Sequence, residues 1–294
     1  MIGRLSEGRG FIDLLLLYFL ANLAVRLVLP QSLEMDEGQQ LFLSQWLAPG
    51  YDSQPPFYNW LQFGMVQIFG PTVFALAVLK NAMLLGCYLL FGLAASLVVA
   101  DRRLVGVAML GLITIPQVSF EAQRDLSHTV AVLFSACLFL YALLYTLERP
   151  GAAGFVLIGV AIGIGMLSKY NFALLPLAAL IAIAWDRDLR PRLMDARIGL
   201  TLLVAVAIIA PHGLWFLDHI DMATSRTLGK MTLESGAGHL PQFVSGLLSL
   251  AGSIAVFCLP TVLIFIVAFG RSAMDARNAT SRWTQLIGRM IIVI

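Results

Sequence analysis

Charge is what this sequence has least of. Asp, Glu, Lys and Arg make up 12% of its 294 residues, about half the share found in an ordinary soluble domain. With 59% hydrophobic residues, that deficit excludes a soluble globular chain and a disordered one alike. Cysteine is scarce too. Cys87, Cys137 and Cys258 sit in three separate apolar runs, and none has C-x-x-C spacing. No disulfide framework or thiolate metal site is expected from them. His212, His219 and His239, with Asp218 and Asp221, match no zinc spacing. No cofactor is expected; a divalent metal is compatible with these residues but not indicated. No Walker A sequence, no G-x-G-x-x-G and no strand-like alternation is present, so nucleotide-based chemistry is excluded and nucleic acid is not an expected partner. No low-complexity linker divides the chain, which reads as one transmembrane domain over 1–294.

What is there is long apolar runs. They predict helical spans at roughly 11–29, 72–99, 104–120, 128–147, 153–168, 171–185, 198–217 and 243–269. The fold class is therefore an all-α integral membrane protein with about eight complete spans. The first run follows Arg4 and Arg9, exceeds a signal-peptide core and lacks a small-x-small cleavage site, so it reads as an uncleaved helix. The segment 57–69 predicts a short helix that re-enters or skims the membrane. In the fifth span, Gly159 and Gly163 form a small-xxx-small pattern that lets a second helix approach closely. The last apolar run has barely begun when the chain stops at Ile294, which predicts either a C-terminal truncation or a helix end lying on the inner surface.

Arginine and lysine orient the spans. With the N-terminus inside, thirteen fall in inner loops and four (Arg124, Lys169, Arg226, Lys230) in outer ones; Arg26 and Lys80 lie within spans. That asymmetry follows the positive-inside rule. Acidic residues gather on the opposite side, in outer loops 30–71 and 218–242 and in the connection Glu121–Asp125. Ionisable groups from separate loops thus meet at one membrane face, as a site requires. The stretch 224–238, rich in Gly, Ser and Thr, reads as a mobile loop able to order over substrate.

The first outer loop concentrates this chemistry. Glu34-Met35-Asp36-Glu37 puts three carboxylates in four residues. An amphipathic segment follows to Ala48, with Leu41, Phe42 and Trp46 on one side, and predicts an interfacial helix. Pro55-Pro56 then forces an extended backbone. Asp36 is placed either to N-cap that helix or to act as a catalytic carboxylate, and the roles are compatible. Asp125 has the same two readings at the start of the fourth span; with Arg124 it would orient a sugar or a phosphate. Lys169 either snorkels to lipid phosphate or binds the phosphate of a lipid-linked substrate. Lys80, about nine residues into the second span, needs a partner or an aqueous cavity.

In this order, Asp36-Glu37, Gln54-Pro55-Pro56-Phe57-Tyr58-Asn59-Trp60, Lys80, Arg124-Asp125 and Gly163-Ile164-Gly165-Met166-Leu167-Ser168-Lys169-Tyr170 resemble the membrane-embedded GT-C glycosyltransferases. The likeness is to the branch of protein O-mannosyltransferases, lipid A aminoarabinose transferases and Rgt-type galacturonosyltransferases. It extends from the first span to about residue 220. The resemblance implies a GT-C helical bundle in a bacterial inner membrane with its active site on the periplasmic face. It implies a polyprenyl-phosphate sugar donor and a glycolipid, polysaccharide or protein acceptor. It makes Asp36 the general base of an inverting displacement and Asp125 a second catalytic carboxylate. Glu37, Gln54, Tyr58, Lys80, Arg124 and Lys169 become substrate-binding residues, with Lys169 and Arg124 the cations for the leaving phosphate. Many relatives carry lysine where this chain has Gln54, and many continue beyond the point where it ends.

Two other classes compete. A transporter or flippase of lipid-linked intermediates predicts broken helices or repeated halves, with ionisable groups at the midplane. A non-catalytic scaffold predicts that Asp36 and Asp125 lie apart.

Overall fold

The computed structural model describes residues 9–30, 32–225, 242–270 and 282–294. Arg226, Lys230 and most of the outer loop that carries them, including His239, lie outside those residues. Every regular element among them is helical. We number the principal helices α1 (Arg9–Val28), α2 (Met35–Leu43), α3 (Phe57–Phe69), α4 (Val73–Val98), α5 (Arg102–Gly111), α6 (Ser127–Glu148), α7 (Ala152–Met166), α8 (Leu174–Trp185), α9 (Ile198–Asp218), α10 (Gln242–Phe269) and α11 (Arg282–Val293).

Five of them, α1, α4, α6, α9 and α10, are long and apolar enough to cross a membrane. The expected third span is broken. Arg102–Thr114 and Gln117–Arg124 meet at a 74° bend, and the second piece opens as a π-helix over Gln117–Glu121. Pro116 sits at the break, where its missing N–H removes a helical hydrogen bond. The expected fifth and sixth spans are shorter apolar helices, α7 and α8, separated by a 3-10 turn over Tyr170–Ala173.

Packing runs through two apolar clusters. One joins α1, α3, α4, α5 and the start of α6 around Leu84, Cys87, Tyr88 and Met109. The other joins the ends of α4 and α6 to α7, α8 and α11 around Phe139, Leu144, Ala178 and Leu286. Cys87 and Cys137 are buried free thiols, and Cys258 is exposed. The glycine pattern on α7 receives α9. A Cβ at Gly159 would stand 2.7 Å from the Thr201 carbonyl oxygen, and one at Gly163 would stand 2.8 Å from Ile208. Between apolar helices in lipid no hydrophobic force acts, so such close van der Waals contact and the Thr201 Oγ1 hydrogen bond to the Phe155 carbonyl (2.8 Å) hold the pair. By contrast, α10 buries none of its apolar stretch against the other described helices.

Candidate active site

Helix α2 fixes the first loop. Its N-cap is Glu34, not Asp36, which corrects the expectation. Glu34, with φ −70° and ψ 168°, is the extended residue that precedes the helix. Glu37, three positions on, then accepts from the Glu34 amide at 3.4 Å. Helix α2 also ends at Leu43 rather than Ala48. Its apolar side faces away from the protein, with Phe42 and Trp46 exposed and stacked edge to face. Its polar side faces inward: Gln40 and Ser44 are buried. An interfacial helix in this setting shows lipid its apolar face and the protein its polar one.

Glu37 is 3% exposed. Its two carboxylate oxygens take Arg26 of α1 at 2.9 Å and Lys80 of α4 at 3.3 Å. Lys80 is equally buried and lies within electrostatic reach of Asp125. The deep lysine thus meets a first-loop carboxylate, the partner that its depth requires. A buried charge pair of this kind needs complete partnering to be tolerated, and the triad supplies it from three elements. Arg26 and Glu34 were not among the expected site residues. Arg26 sits in the last turn of an apolar helix, where a cation is ordinarily a helix-end or snorkelling residue.

The start of α6 is the hub. Asp125 Oδ1 accepts from the Asp36 backbone amide at 3.0 Å, so it satisfies the N-terminus of α2. The cap of its own helix is Leu126, with no side-chain bond. This corrects the reading of Asp125 as the cap of the fourth span. Ser127 faces the Tyr58 hydroxyl. His128 Nε2 lies 2.9 Å from the Gln40 side-chain amide; an amide N–H donates, so Nε2 accepts. Thr129 Oγ1 accepts from the Lys169 ammonium at 2.8 Å. Consecutive residues of one helical turn therefore reach α3, α2 and the Lys169 turn. His128 and Thr129 escaped the sequence reading because they sit at the head of an otherwise apolar run.

Tyr58 is fully buried. Burial first, then the nearby Glu37 and Asp36 carboxylates, push its hydroxyl above the ordinary phenol range, so it stays protonated. Arg124 reaches Glu34 at 3.4 Å in an exposed pair. Gln54 is half-buried, and its backbone amide donates to Asp52 Oδ1 at 2.8 Å. Its loop is pinned beside Lys169, since the Phe57 amide donates to the Leu167 carbonyl at 2.9 Å. A cavity of about 390 Å³ opens beside the site, lined by Arg26, Glu34, Glu37, Ser119, Gln123 and Arg124. Asp36 and Lys169 do not line it. Among the described residues no three metal-ligating side chains cluster.

The arrangement joins two carboxylate loops to two cations at one end of the bundle. The chain resembles known proteins over most of its length. Lipopolysaccharide core galacturonosyltransferase RgtB of Rhizobium johnstonii is 50% identical over 280 residues, covering 95% of this chain and 57% of that protein. Lipopolysaccharide core galacturonosyltransferase RgtA of the same organism is 46% identical over 279 residues, with 95% and 56% covered. The chain thus spans little more than half the length of these relatives. The crystal structure of ArnT from Cupriavidus metallidurans bound to undecaprenyl phosphate superposes with a TM-score of 0.66 at 18% identity, over 99% of this chain and 55% of that one. That likeness establishes a shared GT-C fold. The family profile for dolichyl-phosphate-mannose-protein mannosyltransferase matches residues 53–215, more than half of the chain, and the chain belongs to that family.

Proposed function

We propose that this protein is a membrane glycosyltransferase that moves a sugar from a polyprenyl-phosphate donor to an extracytoplasmic acceptor. The observation that carries the reading is the hydrogen bond between Asp125 and the Asp36 amide, which joins the first outer loop to the loop before α6. A scaffold has no use for two carboxylates brought together at a membrane surface. The relatives named above are galacturonosyltransferases of the lipopolysaccharide core, which supports a glycolipid acceptor. ArnT was crystallised with undecaprenyl phosphate, which supports the lipid-linked donor.

Asp36 is half-buried, with its amide already satisfied by Asp125. In this reading its carboxylate removes the acceptor hydroxyl proton as that oxygen attacks the anomeric carbon, and the configuration inverts. The bond from that carbon to the lipid phosphate breaks, and the phosphate leaves with the electron pair. Lys169 and Arg124 offset its growing charge. Asp125 orients acceptor or sugar, while Glu37 and Lys80 hold α2 in place beneath. The positive-inside distribution supports a periplasmic position for this end of the bundle and a cytoplasmic N-terminus. The bend at Pro116 is a feature the transporter reading predicts. The ionisable groups nonetheless collect at the loop end of the bundle, which favours surface chemistry.

The test is transfer of labelled sugar from a polyprenyl-phosphate donor pool in membranes, with the chain and its Asp36→Asn variant at equal expression. Loss of about two orders of magnitude or more in Asp36→Asn is expected of a general base. Equal transfer by both would remove Asp36 from the chemistry.

A further inference from the structure

His212 lies near the end of α9, buried at 3% exposure in a helix whose other buried residues are Thr201 and Ala205. Both of its ring nitrogens are engaged. Nδ1 lies 2.8 Å from the Pro49 carbonyl oxygen in the first loop, and Nε2 lies 3.0 Å from the Tyr170 hydroxyl. A carbonyl only accepts, so Nδ1 carries the proton; in the neutral ring Nε2 then accepts from Tyr170. One imidazole thus ties the first loop to the residue that follows Lys169.

Independent packing points the same way. Tyr170, His212, Trp215 and His219 form a column of rings with interplanar angles of 14°, 20° and 9° and centroid separations of 6.0, 5.4 and 4.7 Å. Trp215 lies directly against Gly50, where an added Cβ would overlap the indole. The loop between His212 and the site is cinched internally. The Trp60 indole donates to the Ala48 carbonyl at 2.7 Å. Asp52 accepts from Gln39 of α2, which stands three residues from Asp36. Pulling Pro49 toward α9 therefore sets where Asp52, and through it α2, rests relative to the Lys169 turn.

We infer that His212 is a positioning residue that holds the carboxylate-bearing first loop in register with Lys169. It touches none of the proposed reacting atoms and acts through Pro49 and Tyr170. The same bonds leave neither ring nitrogen free for a metal, which removes His212 from the His–Asp metal set the spacing left open. The inference rests on the glycosyltransferase reading for its consequence, but not for its geometry.

Two readouts separate the two. The first is amide hydrogen exchange of residues 46–54 in detergent-purified protein. His212→Ala should speed exchange there about tenfold, the scale of one lost buried hydrogen bond, with α4 and α6 unchanged. His212→Asn keeps a donor where Nδ1 stands and should restore protection. Tyr170→Phe removes only the second bond and serves if His212→Ala does not fold; it should loosen the Lys169 turn and leave the amides of residues 46–54 protected. The second readout is transfer kinetics. His212→Ala should lower kcat with KM for the lipid-linked sugar little changed, and His212→Asn should recover most of the rate. Unchanged loop exchange in His212→Ala overturns the inference, and so does a His212→Asn that behaves like His212→Ala. If the unaltered protein transfers no sugar, the glycosyltransferase reading fails, and the exchange arm alone decides the anchor.

Discussion

The two ends of the bundle use charge in opposite ways. At the proposed outer end, ion pairs and carboxylate bonds join residues far apart in sequence: Arg26 and Lys80 to Glu37, and Asp36 to Asp125. At the other end most bonds are local. Asp195 accepts from Arg197, Asp101 from the Arg103 amide, and Asp186 from the amides of Asp188 and Leu189. The local set terminates helices and carries the positive charge that orients a membrane protein. It would form in almost any short loop. The distant set requires burying charge, which folding alone does not favour. Where a chain so poor in charge buries Glu37 and Lys80 together and draws the half-buried Arg26 onto them, the physical inference is a site.

The largest expected effect tests that contrast directly. Lys80→Met leaves Glu37 buried with half its partners and should destabilise the protein by about 3–5 kcal/mol, the range for breaking one side of a buried pair. Thermal unfolding in detergent measures it. A shift no larger than that of an exposed charge would mean the triad is solvated, and the contrast would collapse. Asp125→Asn separates charge from geometry. The amide oxygen can still accept from Asp36, so unfolding should move by no more than about 1 kcal/mol, while transfer falls by about two orders of magnitude. Equal loss of stability and activity would make Asp125 a helix cap and nothing more.

At the inner end, long-range bonds are few among the described residues: Arg197 donates to the Pro150 carbonyl at 3.1 Å, and Arg289 pairs with Asp186 at 2.8 Å. The latter pair joins α11 to the end of α8, where Leu286 and Met290 are already buried. Apolar packing supplies most of that contact, so Arg289→Gln should change stability by less than about 1 kcal/mol. A drop comparable to Lys80→Met would show that both ends depend on ion pairs equally.

Much of this was legible in the sequence, for identifiable reasons. The long spans follow from hydropathy alone, and Gly159 with Gly163 announced the approach of α9 because only glycine leaves room there. The meeting of Asp36 and Asp125 followed from sorting loops by charge. Other features depend on tertiary detail. Two carboxylates two residues apart can each cap α2, and the choice of Glu34 is made by its extended backbone just before the helix. The break at Pro116 was carried by a visible proline, but a hydropathy window averages across it. Thr129 and Arg26 look like ordinary residues of apolar helices until Lys169 and Glu37 are in place, and His212, visible in the sequence only as one of a set of possible metal ligands, takes its role once Pro49 and Tyr170 are beside it.

The smallest effect belongs to Asp195, and its sign is fixed by its surroundings. Two hydrogen bonds from the Arg197 guanidinium, at 2.9 and 2.7 Å, hold the carboxyl at about 2, below its ordinary 3.8. A carboxyl depressed in the folded state stabilises fully above its unfolded pKa and loses that contribution as pH falls through the folded one. Asp195 should therefore add a constant, small stability from pH 8 to pH 5. The addition should shrink below pH 4 and vanish near pH 2. Asp195→Asn should run parallel to the unaltered protein in melting temperature across the neutral range, slightly below it, and the two curves should converge in acid. Curves that separate between pH 8 and pH 5 would contradict the assignment. A neutral-pH gap as large as that of Lys80→Met would be more damaging, because a local, solvent-facing pair would then match a buried one.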